Sequence, residues 1–281
     1  MAELVTIVIP VYKQTLSDFD KISLSQCIKV LGNYPITLVK PHSLSLKEYA
    51  SYSNTDFFVE SFEDSYFEDV QGYNRLMLSS EFYRRFSNYE FILIYQLDAF
   101  VFKDELLYWC NIGYDYIGAP WLSETIYGNW FVKVKEKISS YIHYKKNIPQ
   151  PGSTSPSKRQ FYNRVGNGGF SLRRVEKFYT ICLKEITKIT FYNQNPNPYF
   201  NEDVFWSLEV NRKKKQLYIP NYREALKFSF EHHLLMAFKI NKNKIPFGCH
   251  AWPLLLDFWG PIFINQFDVI ALTNDIHSNS K

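Results

Sequence analysis

Apolar residues in this chain gather into runs more often than they alternate with polar ones. VTIVIPVY (5–12), ITLVKP (36–41) and FILIYQLDAFVF (91–102) are near-continuous, the pattern of strands buried on both faces. Between the first two, Ile22, Leu24, Cys27, Ile28 and Leu31 recur at helical spacing over 18–31, with Asp18 or Asp20 as N-cap and Gly32-Asn33 as the stop. This β-α-β opening predicts a parallel pair joined by a right-handed crossover. LSLKEYASY (44–52) reads as a helix and DFFVES (56–61) as a third strand. GYNRLMLSSEFYRRF (72–86) reads as one amphipathic helix leading into the strand that holds Asp98. Strands alternating with helices indicate an α/β sheet.

Beyond Asp98 the rhythm changes. A short helix is predicted over 104–112, and YDYIGAPW (114–121) gives a short strand ending in a Pro-Trp turn. Residues 123–164 form a polar, aromatic insertion, with loop chemistry plainest in PQPGSTSPSKRQ (149–160). Its length suggests a mobile or functional segment. GNGGFSLRR (166–174) resumes order and a helix follows to about residue 189. NPNPYFNED (195–203) leads into a helix at VFWSLEVNR, and a last helix through Phe238 precedes the loop IPFGCHAW. With no internal repeat and no linker, a single domain over 1–281 is expected.

Composition narrows the class. The 281 residues are 46% hydrophobic and 18% aromatic, which marks a globular chain with a large core. A net charge of +4 is too small to imply a nucleic-acid partner. The dense basic run from Arg212 to Lys215 reads as a solvated helix end or as a peripheral contact with anionic lipid. Cys27, Cys110, Cys182 and Cys249 are far apart with no CxxC pair, so they read as core residues in a reducing compartment. The N-terminus enters a strand directly, and no apolar stretch reaches bilayer length. A cytoplasmic protein is expected, with any membrane contact peripheral.

Four segments carry candidate chemistry. Asp98 is the one group in the run 91–102 that is charged at neutral pH, and a buried carboxylate there needs a metal, a cation or several donors. Gly168-Gly169 beside Asn167 allows positive φ or close backbone approach, with a tight turn as the plainer reading. Glu202-Asp203 suits either a helix N-terminus or a general base. His250, in GCHAW, suits a metal, a phosphate or plain packing.

Their order and type resemble glycosyltransferases of the GT-A fold. The resemblance is closest to a little-characterised bacterial group with LDAF, YDYIGAPW, GNGGFSLR and NEDVFW as its signature, and runs from about Val5 to Trp252. It implies a Rossmann-like, mixed and mostly parallel α/β sheet, with residues 1–103 as the nucleotide-binding half and 104–260 as the acceptor half. Pro10, Val11 and Tyr12 would line the nucleobase, and Asn74 and Arg75 would contact the nucleotide. Gly168 and Gly169, with Asn167, would lie beside the donor sugar. Asp98 matches the last acid of the DxD motif and, with His250, would hold Mn²⁺ or Mg²⁺ against the diphosphate. Gln96 stands where that motif has its first acid. Glu202 and Asp203 match the acidic pair that supplies the base in inverting members, and Trp121 and Trp130 would form an acceptor platform. The implied activity is transfer of a sugar, from UDP-sugar or a similar donor, to a hydroxyl of a glycan or lipid-linked acceptor in bacterial surface polysaccharide synthesis. A non-catalytic nucleotide-sugar-binding module of the same fold, or a sugar nucleotidyltransferase, are the alternatives.

Overall fold

A computed structural model describes residues 3–51, 56–123 and 129–267, together with Val269. The apolar runs form the long strands β1 (Glu3–Pro10), β2 (Ile36–Pro41), β3 (Phe58–Phe62) and β4 (Tyr89–Tyr95). Shorter strands follow: β5 (Phe100–Val101), β6 (Tyr116–Ile117), β7 (Pro120–Trp121), β8 (Arg164–Val165), β9 (Phe170–Arg174), β10 (Ser229–Phe230) and β11 (Gly248–Cys249). The main sheet has the order β3-β2-β1-β4-β9-β6. Strands β1 to β4 run parallel and β9 is antiparallel to both neighbours. This is the mixed, mostly parallel α/β sheet that the sequence predicts.

Both sheet faces are covered, which is why the strands lack a polar alternation. Ile7, Ile9 and Leu93 pack with Leu24, Cys27 and Leu31 of the helix Asp18–Leu31. Val8, Ile92 and Ile94 pack on the other face with Phe82, Tyr83, Phe178 and Trp206. All four cysteines are buried and free. Among the described residues, no helix is long and apolar enough to cross a membrane.

Strand order places the site. From β1 the chain steps to β2 and β3 on one side, then returns as β4 on the other. The order therefore reverses between β1 and β4, and a crevice opens beyond their carboxyl ends. A second sheet, β10-β11-β5, abuts this edge. Cys249 pairs with Phe230 in the parallel direction and with Phe100 in the antiparallel one. Residues 231, 250 and 98 are thereby drawn to one end of the small sheet.

Several local expectations are corrected. Residues 91–102 are not one strand. β4 stops at Tyr95, and a turn closed by Ala99 N–H donating to Gln96 O (2.9 Å) carries the chain into β5 of the other sheet. Asp98 sits in that turn, since an apolar run reads alike whether one sheet or two bury it. The 72–86 helix is two, Val70–Met77 and Ser80–Arg85, because Ser79 accepts from Phe82 N–H and starts a new turn. The first helix is N-capped by Ser17, with Asp20 completing a capping box. Within the 123–164 insertion, 124–128 lie outside the described residues, but Trp130–Lys146 is a 17-residue helix. Arg212 is buried, bonding Tyr144 O, Gln160 Oε1 and Glu209 Oε2, so only Lys213 to Lys215 of the basic run face outward.

Candidate active site

The crevice holds about 600 Å³. Its floor is the end of β1 with Pro10, Val11, Tyr12 and Lys13, together with the turn Gln96-Leu97-Asp98 after β4. Asn167, Gly168 and Gly169, which precede β9, form one wall, and Asn201, Glu202 and Asp203 another. Four stretches distant in sequence thus meet at the switch point.

At the small-sheet end, His250 is held between acids. Its Nδ1 lies 3.1 Å from Glu231 Oε1 and 3.0 Å from Asn167 Nδ2. Its Nε2 faces Gln96 Oε1 at 3.1 Å and Asp98 Oδ1 at 3.0 Å. A carboxylate oxygen faces each ring nitrogen, and only the doubly protonated, positively charged imidazole can donate to both. Burial opposes that charge, but Asp98 and Glu231 overcome it and push His250 up to about 10. Burial likewise opposes ionisation of Asp98 and Glu231, and His250 nevertheless holds both below the usual carboxylate range. Although Asp98 Oδ1 is so near His250, it is buried without an aligned hydrogen-bond partner, while the side chain as a whole is 43% exposed to the crevice.

The glycine pair makes this packing possible. A Cβ on Gly169 would fall 2.0 Å from His250 Nε2, and one on Gly168 would fall 1.9 Å from Glu202 Oε1. Asn167 adopts φ +67° and its Oδ1 accepts from the amides of Gly169 and Phe170, which fixes the turn.

The two acids of the NED segment have different surroundings. Glu202 is buried and bonds Nη2 of Arg173 at 3.1 Å. Arg173 is fully buried and also donates to Tyr83 OH, Ser171 Oγ and Gly168 O. Among the described residues Asp203 has no such ion pair. Burial, then the charges of Glu202 and Glu231, push it up to about 7, the range suited to a general base. Asn74 ties the segment down, accepting from Glu202 N–H and donating to Asn201 Oδ1. The chain then passes into a π-helical turn, Phe205–Glu209.

Not every residue singled out in the sequence reaches the crevice. Arg75 donates to Ser65 O and lies outside the lining. Trp121 covers Gly166 and packs on Phe161, and Trp130 begins the outward-facing insertion helix. Conversely, Lys13, Tyr73, Arg173 and Glu231 belong to the site or its support without having been singled out. An arginine within the apolar run of β9 was the one available signal, since a buried guanidinium needs a carboxylate partner.

Asp98, Gln96 and His250 are the residues of the crevice that could hold a divalent cation. His250 Nε2 lies beside Asp98 Oδ1 and Gln96 Oε1, and a divalent cation there would have to take the place of the Nε2 proton. Glu231 would orient the imidazole from behind, as carboxylates do at metal-bound histidines. Among the described residues no cluster of three His, Cys, Asp or Glu ligands occurs, and Gln96 is here the third donor. The remaining lining is acidic, with Asp20, Glu68 and Asp69 opposed by Lys13.

The fold is that of GT-A glycosyltransferases. It is similar to the galactosyltransferase LgtC, solved with donor and acceptor sugar analogues, at a TM-score of 0.54 and 13% identity, covering 87% of this chain and 86% of that one. An active-site mutant of LgtC gives 0.52 at the same identity and coverage. Core-mannan synthase A from Aspergillus fumigatus, in a Mn/GDP form, gives 0.49 at 9% identity, covering 78% and 73%. No curated protein sequence matches. The chain belongs to the family DUF5672, described as a protein of unknown function, which it matches over residues 56–250.

Proposed function

We propose that this protein transfers a sugar from a nucleotide-diphosphate donor to an acceptor hydroxyl. The observation that carries the reading is a pair of buried polar atoms without hydrogen-bond partners, Tyr73 OH and Glu202 Oε2, on residues that line one crevice with Asp98 at the strand-order reversal. Buried polar atoms left open together in this way await a ligand. In this reading the nucleobase stacks near Tyr12 at the end of β1, and Asn167, Gly168 and Gly169 bound the sugar. Asp98, His250 and Gln96 would hold Mn²⁺ or Mg²⁺, which when bound supplies positive charge against the departing diphosphate. Asp203 takes the proton from the acceptor hydroxyl as it attacks the anomeric carbon. Glu202, fixed by Arg173, presents Oε2 to a substrate hydroxyl and holds the segment in place. A base and acceptor on the face opposite the leaving group give inversion. The acceptor is a glycan or lipid-linked sugar, and residues 1–281 act as one domain.

Release of nucleoside diphosphate from a panel of UDP-, GDP- and dTDP-sugars, with Mn²⁺ or EDTA, tests the reading. Turnover of one donor that stops with EDTA is expected. Donor binding without turnover across the panel would instead assign a non-catalytic nucleotide-sugar-binding module. Full activity in Asp98→Ala would remove the cation role.

A further inference from the structure

The helix Trp130–Lys146 turns its apolar side away from the protein. Trp130, Val134, Ile138 and Tyr141 follow one another at helical spacing, and Phe131 and Ile142 widen the stripe. Trp130 is 67% exposed, Phe131 75%, Ile138 55% and Tyr141 56%. The side facing the body packs one aromatic, Tyr144, into the core and is otherwise polar: Ser140 Oγ donates to Arg159 O, His143 Nδ1 meets Ser157 Oγ at 2.7 Å, and Glu136 pairs with Arg159. Lysines border the stripe on both edges, Lys133 and Lys137 on one and Lys135 and Lys146 on the other, and Lys145 stands within it at the C-terminal end, all exposed. At its C-terminal end the helix meets the 212–215 loop, where Lys145 Nζ donates to Arg212 O and Lys213 to Lys215 extend the basic border.

We propose that this helix docks the protein on an anionic lipid surface. It would lie in the headgroup plane, its aromatic and aliphatic stripe inserted and its lysines among the lipid phosphates. An outward stripe of Trp, Phe, Tyr and Ile between lysine borders is the composition of an interfacial helix. Patches of this kind are seldom left bare on a soluble surface. The docking is separate from the chemistry of the crevice, so its test does not depend on turnover.

Co-sedimentation of the full chain with vesicles of phosphatidylcholine alone, and with added phosphatidylglycerol, tests this. Binding to the phosphatidylglycerol vesicles, weakened by salt, is expected. Phe131→Glu with Ile138→Glu should lower the partition coefficient at least about tenfold. Lys135→Ala and Lys137→Ala should each cost about fivefold. Circular dichroism and melting temperature should stay unchanged, because these side chains face solvent. The proposal fails if the wild type stays in the supernatant with both vesicle types, or if the Phe131/Ile138 pair binds as the wild type does. It also fails if sedimentation velocity without lipid finds a dimer that the same pair dissolves, which would assign the face to self-association.

Discussion

Two adjacent carboxylates, Glu202 and Asp203, are assigned different work by their neighbours. Arg173 binds Glu202 in a dry pocket, so Glu202→Ala would leave a buried guanidinium without its carboxylate. Losing one member of such a pair costs about 3–5 kcal/mol, and we expect a clear drop in denaturation midpoint for Glu202→Ala. Asp203→Asn should behave in the opposite way. With its carboxyl raised to about 7, folding favours the protonated acid over the carboxylate. That contribution is fully present below the unfolded carboxylate range and is lost as pH rises through about 7. Asp203→Asn should therefore raise the melting temperature at pH 8 and change it little at pH 4. The same variant should lower kcat roughly 10²-fold or more. Wild-type kcat/KM should rise through pH 7 as the base ionises, and a profile flat from pH 5 to 9 would remove Asp203 from that role. Glu231 lies against the far nitrogen of His250, 3.1 Å from Nδ1. Glu231→Gln should weaken Mn²⁺ binding about 10–100-fold by calorimetry.

At the scale of elements, the glycine pair before β9 links the two ends of the site. Gly168 admits Glu202 and Gly169 admits His250, each where a methyl group would overlap a functional atom. We expect Gly169→Ala to displace His250, to lose Mn²⁺-dependent nucleotide binding in calorimetry, and to destabilise by about 1–3 kcal/mol. The small sheet β10-β11-β5 makes the other link. Its register alone brings Glu231 and His250, 19 residues apart in the chain, next to an Asp98 more than a hundred residues earlier. Strands of two residues give no periodic signal, so Glu231 was silent in the sequence, whereas β1, β2 and β4 announced themselves through long apolar runs.

For the whole molecule, the crevice joins the main sheet to the small one, and a ligand seated there touches both. Nucleoside diphosphate with Mn²⁺ should raise the melting temperature in a concentration-dependent way, about 2.7 kcal/mol of added stability at one hundred times Kd. EDTA should cancel most of that gain. If UDP, GDP and dTDP with Mn²⁺ all leave the melting curve unmoved, the crevice is not a nucleotide site.

The order of strands and helices through β4, and the four segments that meet in the crevice, were legible because each is local. Long buried strands show as unbroken apolar runs, and acids, glycines and a histidine stand out against them. What each side chain does was decided by tertiary contacts. The ion pair that separates Glu202 from Asp203, the imidazole wedged between Asp98 and Glu231, and the outward turn of Trp130 all depend on partners far away in sequence. Burial and charge pairing act through space, and a chain read residue by residue carries no record of which groups folding will bring within 3 Å.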